Sequence, residues 1–413
     1  MHSVSRLTLV IGLSLATTTT LAGAQKFQTA RSLGMAGTGV AVAHPGTANS
    51  TNPAMLAAPQ HGWADDFAII LPSINARVAD KKKTVDQIDD IQETIDRLEQ
   101  DTDALNTGAA QQSAGELRDQ LQAFDQDTVR LDAGAGLSIA LPGPSLAAGI
   151  FTNASLRVTA RGEYDEDDDA RLAAIEAGVL NPNFADELES RGRVLASALG
   201  EVGVSFAHSL ELASGNRLQL GVSPKYVQMR TFQYTRTVVE FEDDEFDSGN
   251  SETDKSGLNF DLGAAYAFGH SQQWNSGIAI KNVIPMELDS AASRPDDDVR
   301  TYELDPLITV GIAHSGDFHV VTADLDLTET KAFGFGDDTQ WLAVGAEFDA
   351  FRYAQLRMGV RQNLASNDNN EGIEEETQLT FGIGLSPFGA RLDVAGLVSD
   401  ADTGVALELG AAF

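Results

Sequence analysis

The side chains with the most chemistry in them are arginines and carboxylates set at alternating positions. In VRLDAGAGLSIAL, Val129 to Leu141, every odd position is apolar, so Arg130 and Asp132 fall together on the opposite face of an extended segment. Arg157 and Arg161 take the polar face of the next such segment, and Arg357 and Arg361, with Asp261, Asp324 and Asp393, take it further on. Charges held to one face of many strands make either a salt-bridged interior or a polar path that can anchor the head group of an amphiphile. The other chemical inventory is thin. The seven histidines are scattered, cysteine is absent, and there is no HExxH, no phosphate-binding GxxxxGK[ST] and no GxSxG. Thiol redox chemistry and thiolate metal sites are excluded, and the expectation is a non-enzyme with no cofactor and no metal.

These charges need elements that keep one face polar over long distances. No uncharged apolar run beyond the first 24 residues approaches the roughly 18 residues of a spanning helix. Period-two segments recur instead: Leu146 to Ala160, Val202 to Leu212, Leu218 to Tyr226 and on toward Glu240, Leu258 to Phe268, and shorter ones to the end. A first strand is expected over Trp63 to Pro72. The short connections carry Gly, Pro or Asn, as at Pro142-Gly143-Pro144, Ser214-Gly215-Asn216 and Pro387-Phe388-Gly389. The long ones are acidic, as at Tyr164 to Glu201, Phe241 to Lys255 and Ser366 to Glu376. Short and long connections alternate, the pattern of an outer-membrane barrel with short periplasmic turns and long external loops. The expected fold is all-β: a transmembrane barrel of about fourteen antiparallel strands, with helical insertions in its loops.

Two tracts break the period. From Lys81 to Leu105, Ile88, Ile91, Ile95, Leu98 and Leu105 recur at helical spacing, and Gln111 to Phe124 adds a shorter helix after a break at Thr107-Gly108. Arg171 to Leu199 reads as a second helical tract in two pieces around Asn181-Pro182. The first 24 residues read as a signal peptide, with Arg6, an apolar core and Ala22-Gly23-Ala24 before Gln25, which implies export. The last segment, GVALELGAAF, carries Leu407 and Leu409 on one face and ends on Phe413. A terminal strand of this kind resembles the signal read by the outer-membrane assembly machinery. A formal charge of −33 repels nucleic acid. The acidic loops are either solvated faces or collectors of divalent cations or basic partners.

Between Phe27 and Leu56 lies a Gly-, Ala- and Asn-rich stretch with Asn52-Pro53-Ala54 near its end. RSLGMAGTGVAVAHPGTANSTNPAML resembles the N-terminal segment of FadL-type outer-membrane transporters of hydrophobic compounds. Together with the helical inserts and VAGLVSDADTGVALELG, it is more similar still to the TraF-like conjugal-transfer proteins, which share that architecture. The resemblance implies a hatch over residues 25–60 folded inside a barrel of residues 61–413, with Arg31, Gly34, Gly37, Gly39, Asn52, Pro53 and Ala54 as its marked positions. The implied setting is the Gram-negative outer membrane, with lipid around the wall. The implied role is passage of a hydrophobic ligand, or a scaffold that binds another envelope protein through its loops.

Overall fold

A computed structural model of the chain describes residues 27–58, 68–143, 145–240, 251–292, 294, 297–335, 337–350, 353–366, 373 and 376–412. The signal-peptide reading and Phe413 lie outside them. The described strands are β1 (Ala68–Ala79), β2 (Thr128–Leu141), β3 (Ala147–Glu163), β4 (Arg191–Glu211), β5 (Arg217–Thr237), β6 (Glu252–Phe268), β7 (Trp274–Lys281), β8 (Met286–Asp289) and β9 (Thr301–Leu304). They continue as β10 (Leu307–Ser315), β11 (His319–Asp326), β12 (Trp341–Ala350), β13 (Ala354–Asn363), β14 (Thr377–Leu385), β15 (Ala390–Val398) and β16 (Asp402–Ala412). Fourteen of these close an antiparallel barrel in chain order, with β1 paired to both β2 and β16; β8 and β9 form a separate hairpin in one loop.

Alternation sets the two surfaces. Leu137, Ile139 and Leu141 on β2, Leu379, Phe381, Ile383 and Leu385 on β14, and Val405, Leu407 and Leu409 on β16 all face outward and are exposed. Arg130, Asp132, Arg157, Arg357, Arg361, Asp261, Asp324 and Asp393 face inward and are buried. Such an apolar outer band around a polar lumen suits lipid outside and hydrogen bonding within. No helix among the described residues is long and apolar enough to cross a membrane.

The wall is uneven. Strands β4 and β5 have 21 residues each and β14 has 9. At about 3.3 Å per residue and a tilt of about 40°, 21 residues climb roughly 50 Å and 9 climb roughly 23 Å, against an apolar band about 25 Å tall. One side therefore rises well above the membrane. In β1 the register shifts on both sides between Ile70 and Ser73. Pro72 cannot donate to a ladder, and the resulting bulge turns Leu71 and Pro72 both outward.

Helices α1 (Ala30–Gly34) and α2 (Pro45–Thr51) belong to the N-terminal segment, while α3 (Thr84–Asp103), α4 (Thr107–Phe124) and α5 (Glu166–Glu176) lie in the first two long connections. The last three share an apolar core through Ile91, Ile95, Leu98, Leu117, Leu121 and Leu172, forming a small cap at the long-loop end.

Several boundaries differ from the sequence reading. Strand β1 runs on through Pro72 to Ala79. The α3–α4 break falls at Ala104 to Asn106, where Leu105 takes a positive φ of 51°, and α4 already begins at Thr107. The tract Arg171 to Leu199 is helical only to Glu176. From Arg191 it is strand, because Val194 to Leu199 pair with Ala160 to Ser155 of β3. Leu195 and Leu199 there face the lumen, so their spacing of four reflects an extended period of two.

Candidate functional site

The lumen is occupied from its inner end by residues 27–58. Asn52 fixes the turn that seats them. Its Oδ1 accepts from Ala54 N at 3.1 Å, capping the 3-10 helix Pro53–Ala57, and its Nδ2 donates to Val40 O at 2.8 Å and to Ala264 O of the wall at 3.2 Å. Pro53 begins that helix, where its missing N–H costs nothing. Arg31 forms a forked pair with Glu347, Nε to Oε2 at 3.1 Å and Nη2 to Oε1 at 2.9 Å. Glu347 also accepts from Arg357, which reaches Asp393, which holds Arg391. Glu408 accepts from Ala30 N, and the Gly39 and Val40 amides converge on Asp324 Oδ2 at 2.8 and 3.0 Å.

Small wall residues let the hatch backbone come close. A Cβ at Gly359 would lie 2.7 Å from Ala36 N, and one at Gly277 would collide with the Val40 carbonyl. Gly34 sits against Gly382, and Gly37 needs its positive φ of 88°. His44 caps α2 by accepting from Gly46 N. Burial holds its pKa well below the ordinary imidazole value, and Arg391 and Arg31 push the same way against Asp393 and Glu347.

A second ionic layer lies toward the long-loop end. Arg77, Arg130 and Arg157 surround Asp132, and Arg130 also reaches Asp402. Arg361 donates to Gln378, which donates to Asp402, and its guanidinium lies 4.3 Å over the Trp341 ring. Into this layer comes Asp337 from the β11–β12 loop, its Oδ2 2.9 Å from Arg130 Nη1 and 3.4 Å from Arg157 Nη1. Arg161 is half-buried and lies over the Phe335 ring.

The mouth is apolar on one side. Leu195, Leu199, Val227 and Met229 point inward from β4 and β5, and they are covered by Met286, Leu288, Tyr302 and Leu304 of the β8–β9 hairpin and by Phe333 and Phe335. Tyr302 is buried, and that burial raises its phenol pKa. Between this cover and the hatch, among the described residues, lie two polar cavities of about 60 and 50 Å³, each with room for a few waters. Phe27 and Lys281 line the first, Gln28 and Arg361 the second, and Thr330 and Lys331 lie between them and line both.

A family model described as "F plasmid transfer operon, TraF, protein" matches residues 50–326. The chain belongs to that family. Among solved structures, the CymD monoaromatic hydrocarbon channel is similar over 94% of this chain and 97% of its own, at TM-score 0.55 and 12% identity. The P. putida toluene transporter TodX is similar over 94% and 99%, at TM-score 0.51 and 12% identity. At such identity the likeness is one of fold: this member of the TraF family is an outer-membrane β-barrel of FadL-type architecture. No curated protein matches it in sequence.

The named inward charges thus separate into two groups in this TraF-family chain. Arg31 and Arg357 belong to the hatch layer, whereas Arg130, Asp132, Arg157 and Arg361 belong to the outer layer. Sequence reasoning left out Glu347, Glu408, Asp337 and Asp402, their acidic partners. Glu347 and Glu408 were within reach of parity, each lying on the polar face of its alternating segment. Asp337 was not, since a loop residue has no parity.

Proposed function

We propose that the barrel admits small hydrophobic or amphipathic molecules from the outside and passes them toward the hatch. One observation carries the reading. In a lumen otherwise lined by charges and hydroxyls, Leu195, Leu199, Val227 and Met229 make an apolar patch at the outer mouth, and loop side chains cover it rather than the hatch. A patch of this kind receives an apolar solute by exchanging one apolar cover for another, at little desolvation cost. The polar cavities beneath are too small for such a solute, so passage requires the loops and hatch to move. Fold likeness to channels described as carrying toluene or monoaromatic hydrocarbons supports this solute class.

The test is uptake of an aromatic hydrocarbon into proteoliposomes. Leu199→Asp and Met229→Glu should lower the rate about tenfold while the barrel stays closed, since a charge in an apolar site costs several kcal/mol. Vesicles with the native protein that take up no more than empty vesicles would end this reading.

A second reading is a scaffold of the conjugal-transfer type, favoured by the α3–α5 cap, which has a core of its own and lies outside the lumen. Cross-linking in native envelopes should then give a specific protein adduct on the cap that disappears when residues 84–124 are removed. An unchanged adduct pattern would count against it.

A further inference from the structure

We propose that Phe333–Phe335 is an internal gate, latched by Asp337, that occupies the place an apolar solute would take. The inference rests on the reading that the patch at the mouth receives such solutes, and it adds what controls that patch. The β11–β12 connection folds back on itself where Thr330 and Thr339 exchange backbone hydrogen bonds of 2.8 and 3.0 Å. Between them the chain dips into the barrel. Phe333 and Phe335 are 4% and 3% exposed although they belong to an outer loop. The Phe333 ring meets Tyr302 edge-on at 6.1 Å, and Phe335 lies beneath the guanidinium groups of Arg161 and Arg300 at 5.2 and 5.5 Å. Gly334 has φ of +119°, its carbonyl accepts from Arg300, and a Cβ there would run into Leu195. Two aromatic rings are thereby pressed onto the inner-wall patch, as an apolar ligand would be.

Asp337 ties this segment to the wall, and the tie can be released without leaving a bare charge behind. Arg130 keeps Asp402 and Asp132, and Arg157 keeps Asp132, when the Asp337 carboxylate leaves. Asp337 itself gains water on leaving, so both sides of the broken pair are compensated, unlike most buried pairs. The loop is thus held by an ion pair that the rest of the network does not need. Because Thr330 and Lys331 line both cavities, lifting the segment also joins them into one vestibule above the hatch.

The chain has no cysteine, so one introduced thiol reports the gate directly. Phe333→Cys and, separately, Phe335→Cys would be placed in the native and Asp337→Asn backgrounds, with barrel closure checked by heat-modifiable gel mobility. Maleimide labelling should be slow in the native background and at least tenfold faster with Asp337→Asn, while Asp337→Glu should stay slow. N-phenylnaphthylamine should speed labelling in the native background and bind more tightly to Asp337→Asn. Labelling that is equally slow, or equally fast, in native and Asp337→Asn proteins overturns the gate. Probe binding that is unaffected by Asp337→Asn, with labelling unchanged by probe, overturns the gate and leaves the uptake reading standing. Labelling released by Asp337→Asn with no probe bound in either background sustains the gate and overturns the uptake reading.

Discussion

Arg31 carries more of the hatch than its position in a Gly-rich coil suggests. Its forked pair with Glu347 is buried on both sides, and breaking a buried pair costs about 3–5 kcal/mol. Arg31→Ala should therefore unseat the hatch, seen as a higher open-channel conductance in planar bilayers; Arg31→Lys should rescue it only in part, since an ammonium cannot make the fork. His44 gives the hatch a pH response with a definite sign. Its pKa is depressed in the folded chain, so the neutral ring is the one that fits, and its contribution is present above the unfolded value of 6.5 and is lost as pH falls below it. Conductance should rise between pH 7 and 5 in the native protein. In His44→Gln, which keeps an acceptor and cannot titrate, that part of the rise should vanish; an identical profile would mean that Glu347 or Asp393 carries the response. Residue parity made most of the inward arginines legible in sequence. It could not reveal which carboxylates they choose, since partners such as Glu347 and Arg31 are 316 residues apart.

At the scale of elements, the cap and the hatch are stabilised differently. The α3–α5 cap has a hydrocarbon core, and Leu117→Ala should cost it about 2–5 kcal/mol while leaving the barrel closed. Helical circular dichroism should melt earlier, with heat-modifiable mobility unchanged. The hatch, by contrast, sits on polar bonds and small wall residues. Gly359→Val would push a side chain into the Ala36 backbone and should displace the hatch without opening the wall, so protease accessibility of residues 27–58 reads the effect. The helical hairpin was legible because its apolar spacing persists over many turns. Arg191 to Leu199 misled because Val194, Leu195, Ala196, Ala198 and Leu199 are all small or apolar. A strand with a polar lumen on one face normally betrays its period, but here both faces are apolar: one contributes to the outer surface of the wall, the other to the patch at the mouth.

The whole molecule is a barrel closed twice. Hatch and gate are tied to the wall by separate ionic layers, one centred on Glu347 and Asp393 and the other on Asp132 and Asp402. Removing residues 27–58 should therefore raise conductance only partway, and adding Asp337→Asn should raise it again by more than either change alone. Strand number and the phasing of long and short connections were readable in sequence because both are local. The closure of the lumen was not, because it depends on what a loop does after it leaves the wall. The closing seam has one more consequence, in time. The hatch precedes β1 in the chain, yet Arg31, Ala36 and Ala30 bind β12, β14 and β16, which are made last. Since β1 and β16 must join to finish the cylinder, the N-terminal segment has to be inside before the last strand pairs. Assembly is then a threading problem, slow because its contacts span nearly the full chain. A chain whose hatch arrives late would close empty, as a leak.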